Sequence, residues 1–284
     1  MSGSGFVLGF NNYITQGYGS WTLDPSKFPG TEDVADVMLD PRVAVASVLA
    51  SATAIDFVRR FSASDVSVGL ISLMNHSIVQ GGTVTITLYD SSDSVVQTIA
   101  IDTTTDPRWF EPPSTKFQRT LNIILDSTVQ ASAIGVTYTG GFVGNTAQIG
   151  HLWVSDTFRT EDGVTENWST GVVDTGSTKS SREKQTFVRT GSRTRWFKGT
   201  LVTIDFETAF GERDDGYIDL QWLLYEVGTT SPVVMFPRTL SSNVADYTAI
   251  NRLHVYGSFQ ELGAIKHGGG NNFMWEDWTV DSWN

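Results

Sequence analysis

The 284-residue chain has no cysteine. That absence excludes disulfide staples, thiolate zinc sites and thiol nucleophiles together. Long apolar runs are missing too. No stretch of about 18 apolar residues occurs, so no membrane span is expected. The opening residues, MSGSGFVLGFNNY, carry no basic n-region and no extended apolar core, so no secretory leader is expected. Positive charge is scarce: 19 Lys and Arg stand against 31 Asp and Glu, a net charge of −12. This argues against a general or sequence-specific nucleic-acid binder. What is abundant is aromatic surface, with 16 Phe, 9 Trp and 8 Tyr among 40% hydrophobic residues. Such a chain can bury a core and is too apolar to remain disordered.

The patterning is mainly β. Thr83–Tyr89 reads TVTITLY, with Val84, Ile86 and Leu88 on one face and threonines on the other. A polar turn, Asp90–Ser94, leads into Val95–Ile101, which predicts a β-hairpin. Ile55–Phe61, Val66–Met74, Leu121–Leu125 and Ile134–Tyr138 read as further strands. Turn pairs such as Gly81-Gly82, Asp106-Pro107, Pro112-Pro113 and Gly140-Gly141 separate them. Short strands at this spacing, without crossover helices between them, predict a sandwich rather than a parallel α/β sheet.

The second half differs. Arg195–Phe206 alternates as a strand would. YIDLQWLLYEVG then places Ile218, Trp222 and Tyr225 at helical spacing, with Leu220, Leu223, Leu224 and Val227 widening the apolar stripe. Asp214 or Asp215 is expected to cap this short helix and Gly228 to stop it. Pro232–Phe236 and Leu253–Phe259 read as strands. The expected architecture is an extended N-terminal arm over 1–30, a β-sandwich over 31–148, and a smaller α+β domain with one short helix over 149–284.

No G-x-S-x-G, H-E-x-x-H, P-loop or G-x-G-x-x-G after a strand occurs. His76, His151, His254 and His267 are scattered singly and read as structural. Asp90 with Asp93, and Asp214 and Asp215 with Asp219, fit no EF-hand spacing. They read as turn and cap residues, with a calcium turn as the alternative. No catalytic residue, metal ligand or cofactor site is expected.

Two features point outward instead. Lys179, Arg182, Lys184, Arg189, Arg193, Arg195 and Lys198 form a basic strip opposed only by Glu183. It reads either as a solvated strand face or as a contact surface for an acidic neighbour, including another copy of the chain. Trp275, Trp278 and Trp283 crowd the last ten residues. Three indoles would be costly on a frayed tail, so the tail docks on its own domain or inserts into a neighbouring subunit.

Beyond these readings, an ordered set of motifs resembles tailed-bacteriophage virion proteins. It comprises Asp40-Pro41-Arg42, Ala54-Ile55-Asp56-Phe57, Val66–Met74 ending at Asn75-His76, and Thr83–Asp90. Arg119–Leu125 and Ser132–Thr137 look like the closing strands of the same module, which resembles galactose-binding-like jelly rolls. Ile149–Val154 looks like the hinge to the second domain, and the resemblance runs over about residues 38–262. It implies a non-enzymatic structural protein of the tail or head–tail junction. Such a protein forms a symmetric ring by homo-oligomerisation, with other virion proteins as partners and assembly in the host cytoplasm. A carbohydrate-binding module, or a tail-tip protein gripping a host glycan, is the alternative; no sugar site is carried over.

Overall fold

The computed structural model describes residues 5–14, 47–48, 54–61, 64–110, 119–145, 147–161, 163–164, 168–174, 176–180, 186–189, 193–211, 218–241 and 244–283. In chain order the strands begin with β1 (Phe6–Phe10), β2 (Ser47–Val48), β3 (Ala54–Arg60), β4 (Val66–Met74) and β5 (Thr83–Tyr89). They continue as β6 (Val95–Asp102), β7 (Thr120–Ala131), β8 (Ala133–Thr139), β9 (Gln148–Ile149) and β10 (His151–Thr160). After these come β11 (Ser169–Asp174), β12 (Ser177–Ser180), β13 (Thr186–Arg189) and β14 (Arg193–Ile204). Helices α1 (Phe206–Phe210) and α2 (Leu220–Val227) precede β15 (Val233–Phe236), β16 (Leu240–Ser241) and β17 (Val244–Ala245). Helix α3 (Tyr247–Leu253) leads into β18 (Val255–Glu261), β19 (Ala264–Gly269) and β20 (Asn272–Ser282).

The protein is mainly β, and its strand pairs are antiparallel. One ten-stranded sheet runs β11-β14-β20-β18-β15-β1-β10-β4-β7, with β19 attached to β20. A four-stranded sheet, β3-β8-β5-β6, packs against its β10-β4-β7 end. The core between them is built from period-2 positions: Val84, Ile86 and Leu88 of β5 meet Ile71 and Leu73 of β4 and Leu121 and Ile123 of β7. This packing is consistent with a β-sandwich.

Strand β10 carries the large sheet onward. Its residues His151–Ser155 pair with β4, and Asp156–Thr160 pair with β1. The sheet is thus continuous through residues on both sides of position 149. At its far end, α1 and α2 cover one face through Ala209, Leu220, Leu223 and Val227. Ile250 of α3 joins Val7, Trp153, Phe236 and Tyr256 in a further cluster. Three α-helices occur among the described residues where the sequence predicts one. Helices α1 and α3 span five and seven residues, too short to show a helical period.

Residues 6–10 require a correction. They are no arm: β1 is fully buried and central, pairing β10 on one side and β15 on the other. Phe6, Leu8 and Phe10 join one core cluster while Val7 joins another. A five-residue strand buried on both faces shows no apolar–polar alternation and is too short to stand out as an apolar run, which is why the sequence concealed it. Gly9 fits because a Cβ there would stand 2.4 Å from Leu70 Cδ2 and 2.7 Å from Ser155 Oγ. The remainder of the predicted arm, from residue 15, lies outside the described residues, as do Asp40–Arg42 and Pro112-Pro113.

Helix α2 also departs in detail. Asp219 caps it, accepting from Trp222 N at 2.8 Å. Asp214 and Asp215 lie outside the described residues. Gly228 ends it at φ 56°, as its position predicts. Leu220, Leu223 and Val227 form the buried face, whereas Trp222 and Tyr225 are 55% and 85% exposed and stack on each other.

Candidate functional site

The basic strip is spread over three strands. Lys179 lies on β12 and Arg189 on β13, whose register sets Arg189 opposite Ser177 and Lys179 opposite Phe187. Arg193 lies on β14 opposite Asp174 of β11. Arg182 and Lys184 lie outside the described residues. Arg195 and Lys198 are engaged within the chain. The Arg195 guanidinium donates to Arg252 O at 3.0 Å, and burial lowers its pKa. Lys198 pairs with Asp277 at 3.3 Å.

The tail tryptophans are placed by an irregular strand. Trp275 and Trp278 are fully buried in the chain's own core and leave no surface for a neighbour. In a regular strand, side chains three positions apart point to opposite faces. Here Asp277 adopts φ 60°, and three steps of β20, from Trp275 to Trp278, oppose two of β14, from Leu201 to Gly199. This bulge turns both indoles to one face, where their rings lie 5.0 Å apart. Trp275 Nε1 donates to Leu262 O at 2.6 Å. Trp283 is half-buried, with its Nε1 donating to Ser258 Oγ at 3.1 Å.

Two outward-facing features remain. The first is β11, which ends the ten-stranded sheet. Its inner edge is held by Ser169–Asp174 paired to Arg193–Lys198, and Thr170 Oγ1 donates to Trp196 O. Trp196 lies over Gly171, where a Cβ would be 2.7 Å from the indole Nε1. Trp168, just before the strand, stacks on Phe197 at 5.3 Å yet stays 38% exposed. Val172 and Val173 are 61% and 47% exposed. Among the described residues no strand pairs with the outer edge of β11.

The second is a cleft of about 510 Å³ between the loop after β6 and helix α3. Trp109 and Phe110 form one wall; Asp246, Tyr247, Thr248 and Asn251 form the other. The loop is shaped by Asp106, whose carboxylate accepts from Arg108 N, Nε and Nη2. Those hydrogen bonds hold the Asp106 carboxyl below its usual range and push Arg108 up. Asn251 Nδ2 reaches across to Arg108 O at 3.4 Å and ties the two walls together. Burial raises the Tyr247 phenol pKa. No sequence signal marks these residues as a group. Asp106-Pro107 reads only as a turn, and the opposing wall lies about 140 residues away.

Among the described residues, no three His, Asp or Glu side chains converge as a metal site, and no helix is long and apolar enough to cross a membrane. The chain matches no protein-family model, no curated protein and no solved structure.

Proposed function

We propose that this chain is a non-enzymatic structural component of a bacteriophage virion, in the tail or at the head–tail junction, forming a symmetric ring through contacts between copies. One observation carries the assembly reading: β11 ends the large sheet with Trp168, Val172 and Val173 exposed. An edge with exposed apolar side chains is a template for a strand or apolar surface of another molecule. Such an edge meeting a different surface on the next copy makes a head-to-tail contact, the kind that closes rings. The virion assignment is supported by the ordered motif resemblance over about residues 38–262.

Native mass measurement of the purified chain, with electron microscopy of intact particles, tests the reading. The expected result is a discrete oligomer and a ring at one axial level. Val172→Asp is expected to yield folded monomers. A folded monomer at high concentration that is absent from purified virions rejects the reading. A second reading, binding of a host glycan, is favoured by the aromatic cleft.

A further inference from the structure

We propose that the cleft between the loop after β6 and helix α3 is a binding site for a neutral saccharide. The inference deepens the glycan reading and does not depend on ring assembly.

Three aromatic side chains, Trp109, Phe110 and Tyr247, line the cleft from two separate elements. Beside them stand an amide, a hydroxyl and a carboxylate, from Asn251, Thr248 and Asp246. A pyranose presents the complementary chemistry: an apolar C–H face for a ring, and a rim of hydroxyls that donate and accept. Aromatic walls with a few fixed polar groups are the usual make-up of small-molecule sites, and about 510 Å³ lies within their range.

Charge argues for a neutral ligand. Among the described residues, Asp246 is the one charged residue lining the cleft. Its carboxylate already accepts from Ala249 N at 2.9 Å and lies 3.7 Å from Arg238 Nε. Arg108, behind the loop, is committed to Asp106. Arg252 lies over the Phe110 ring at 5.9 Å from its centroid. Among the described residues, the cleft lining therefore offers no cation to an anionic ligand, and its one carboxylate already has partners within the chain.

Unpartnered polar atoms are buried in and behind the cleft walls. Asn251, only 7% exposed, has no partner for Oδ1. Trp109 Nε1 is likewise buried without one. Directly against Trp109, with ring centroids 5.4 Å apart, His76 has no partner at either ring nitrogen. Of the nine buried unpartnered side-chain atoms among the described residues, two lie on Asn251 and Trp109, which line the cleft, and two on His76, which packs behind Trp109.

The test uses the full chain with methyl glycosides of glucose, galactose, N-acetylglucosamine and rhamnose, read by saturation-transfer NMR and tryptophan fluorescence. Choline and inorganic phosphate serve as charged controls. Saturable binding of at least one glycoside is expected, weakened by about tenfold or more in Trp109→Ala. Because Trp109 also packs on the core, Thr248→Trp is the second variant. It fills the cleft from an exposed helix position and should weaken binding equally with an unchanged melting temperature. No binding of any glycoside overturns both this proposal and the glycan reading. Binding that Thr248→Trp leaves within about twofold overturns the cleft assignment alone. Choline or phosphate binding in the cleft, in place of sugar, overturns the neutral-ligand class.

Discussion

Asn12 Nδ2 lies 3.2 Å from His151 Nε2, with Asn12 2% exposed and His151 fully buried. The amide oxygen accepts from Ile14 N at 3.2 Å and Val154 N at 3.1 Å. That fixes the amide and turns its NH₂ toward the ring, so His151 accepts at Nε2 and carries its proton on Nδ1. One side chain thereby fastens the segment after β1 to β10. Asn12→Ala orphans two backbone donors and one imidazole acceptor. It is expected to cost about 2–4 kcal/mol in denaturant unfolding. A loss below about 0.5 kcal/mol refutes the role given to this pair.

Acid stability follows from buried groups of opposite sign. Burial, aided by Arg119, holds His76 neutral down to about 3; burial, aided by Arg195, holds His254 neutral down to about 4. The unfolded chain takes up these protons near 6.5, so their stabilisation is complete above that pH and is lost as pH falls toward 4. Asp156 runs the other way. Burial raises it from 3.8 to about 6, so its contribution is complete below 3.8 and lost as pH rises through 6. Asp156→Asn should therefore exceed wild type by about 2 kcal/mol at pH 7, with the gap closing by pH 4. Melting curves across this range check it; an equal gap at both ends contradicts the assignment.

The tail tryptophans should separate by burial. Trp275→Ala and Trp278→Ala each empty a large core volume and are expected to cost about 3–5 kcal/mol. Trp283→Ala, half-buried, should cost about half as much. Chemical denaturation of the three variants gives the ranking, and a reversed order contradicts the placement of β20.

On α2 the two faces should behave differently. Leu223→Ala is expected to cost about 2–5 kcal/mol. Trp222→Gln and Tyr225→Gln should stay within about 0.5 kcal/mol of wild type. A destabilised Tyr225→Gln variant would show that the ring packs on something in the folded chain.

Period-2 strands were the most legible part of the sequence. Val66–Met74 and Thr83–Tyr89 match their predicted bounds: Thr83–Tyr89 buries alternate side chains, and Val66–Met74, buried on both faces from Val68 onward, is a nine-residue run rich in apolar residues. β7 runs from Thr120 to Ala131, beyond the predicted Leu121–Leu125, because its second half is largely exposed and carries no apolar signal. β1 stayed hidden because it is buried on both faces and is only five residues long, with Gly9 interrupting its apolar run. The shared face of Trp275 and Trp278 was illegible because a bulge at Asp277 breaks the period. On α2 the helix and its stop are readable, but the apolar stripe in the sequence is wider than the buried face, since hydropathy does not distinguish a solvent-facing aromatic pair from a core-facing one. The cleft was out of reach, since its walls meet only when β6 and α3 are brought together by the large sheet.

Strand β1 sets an order on synthesis. Val7, Leu8 and Gly9 lie opposite Arg159, Phe158 and Thr157 on one side, and opposite Phe236, Met235 and Val234 on the other. Neither partner exists when the ribosome has just released Phe6–Phe10. The first becomes available only about 150 residues later and the second about 230 residues later, and closing separations of that size is slow. Until Phe236 has emerged, FVLGF waits with an unpaired edge and an apolar surface that must be kept from other nascent chains.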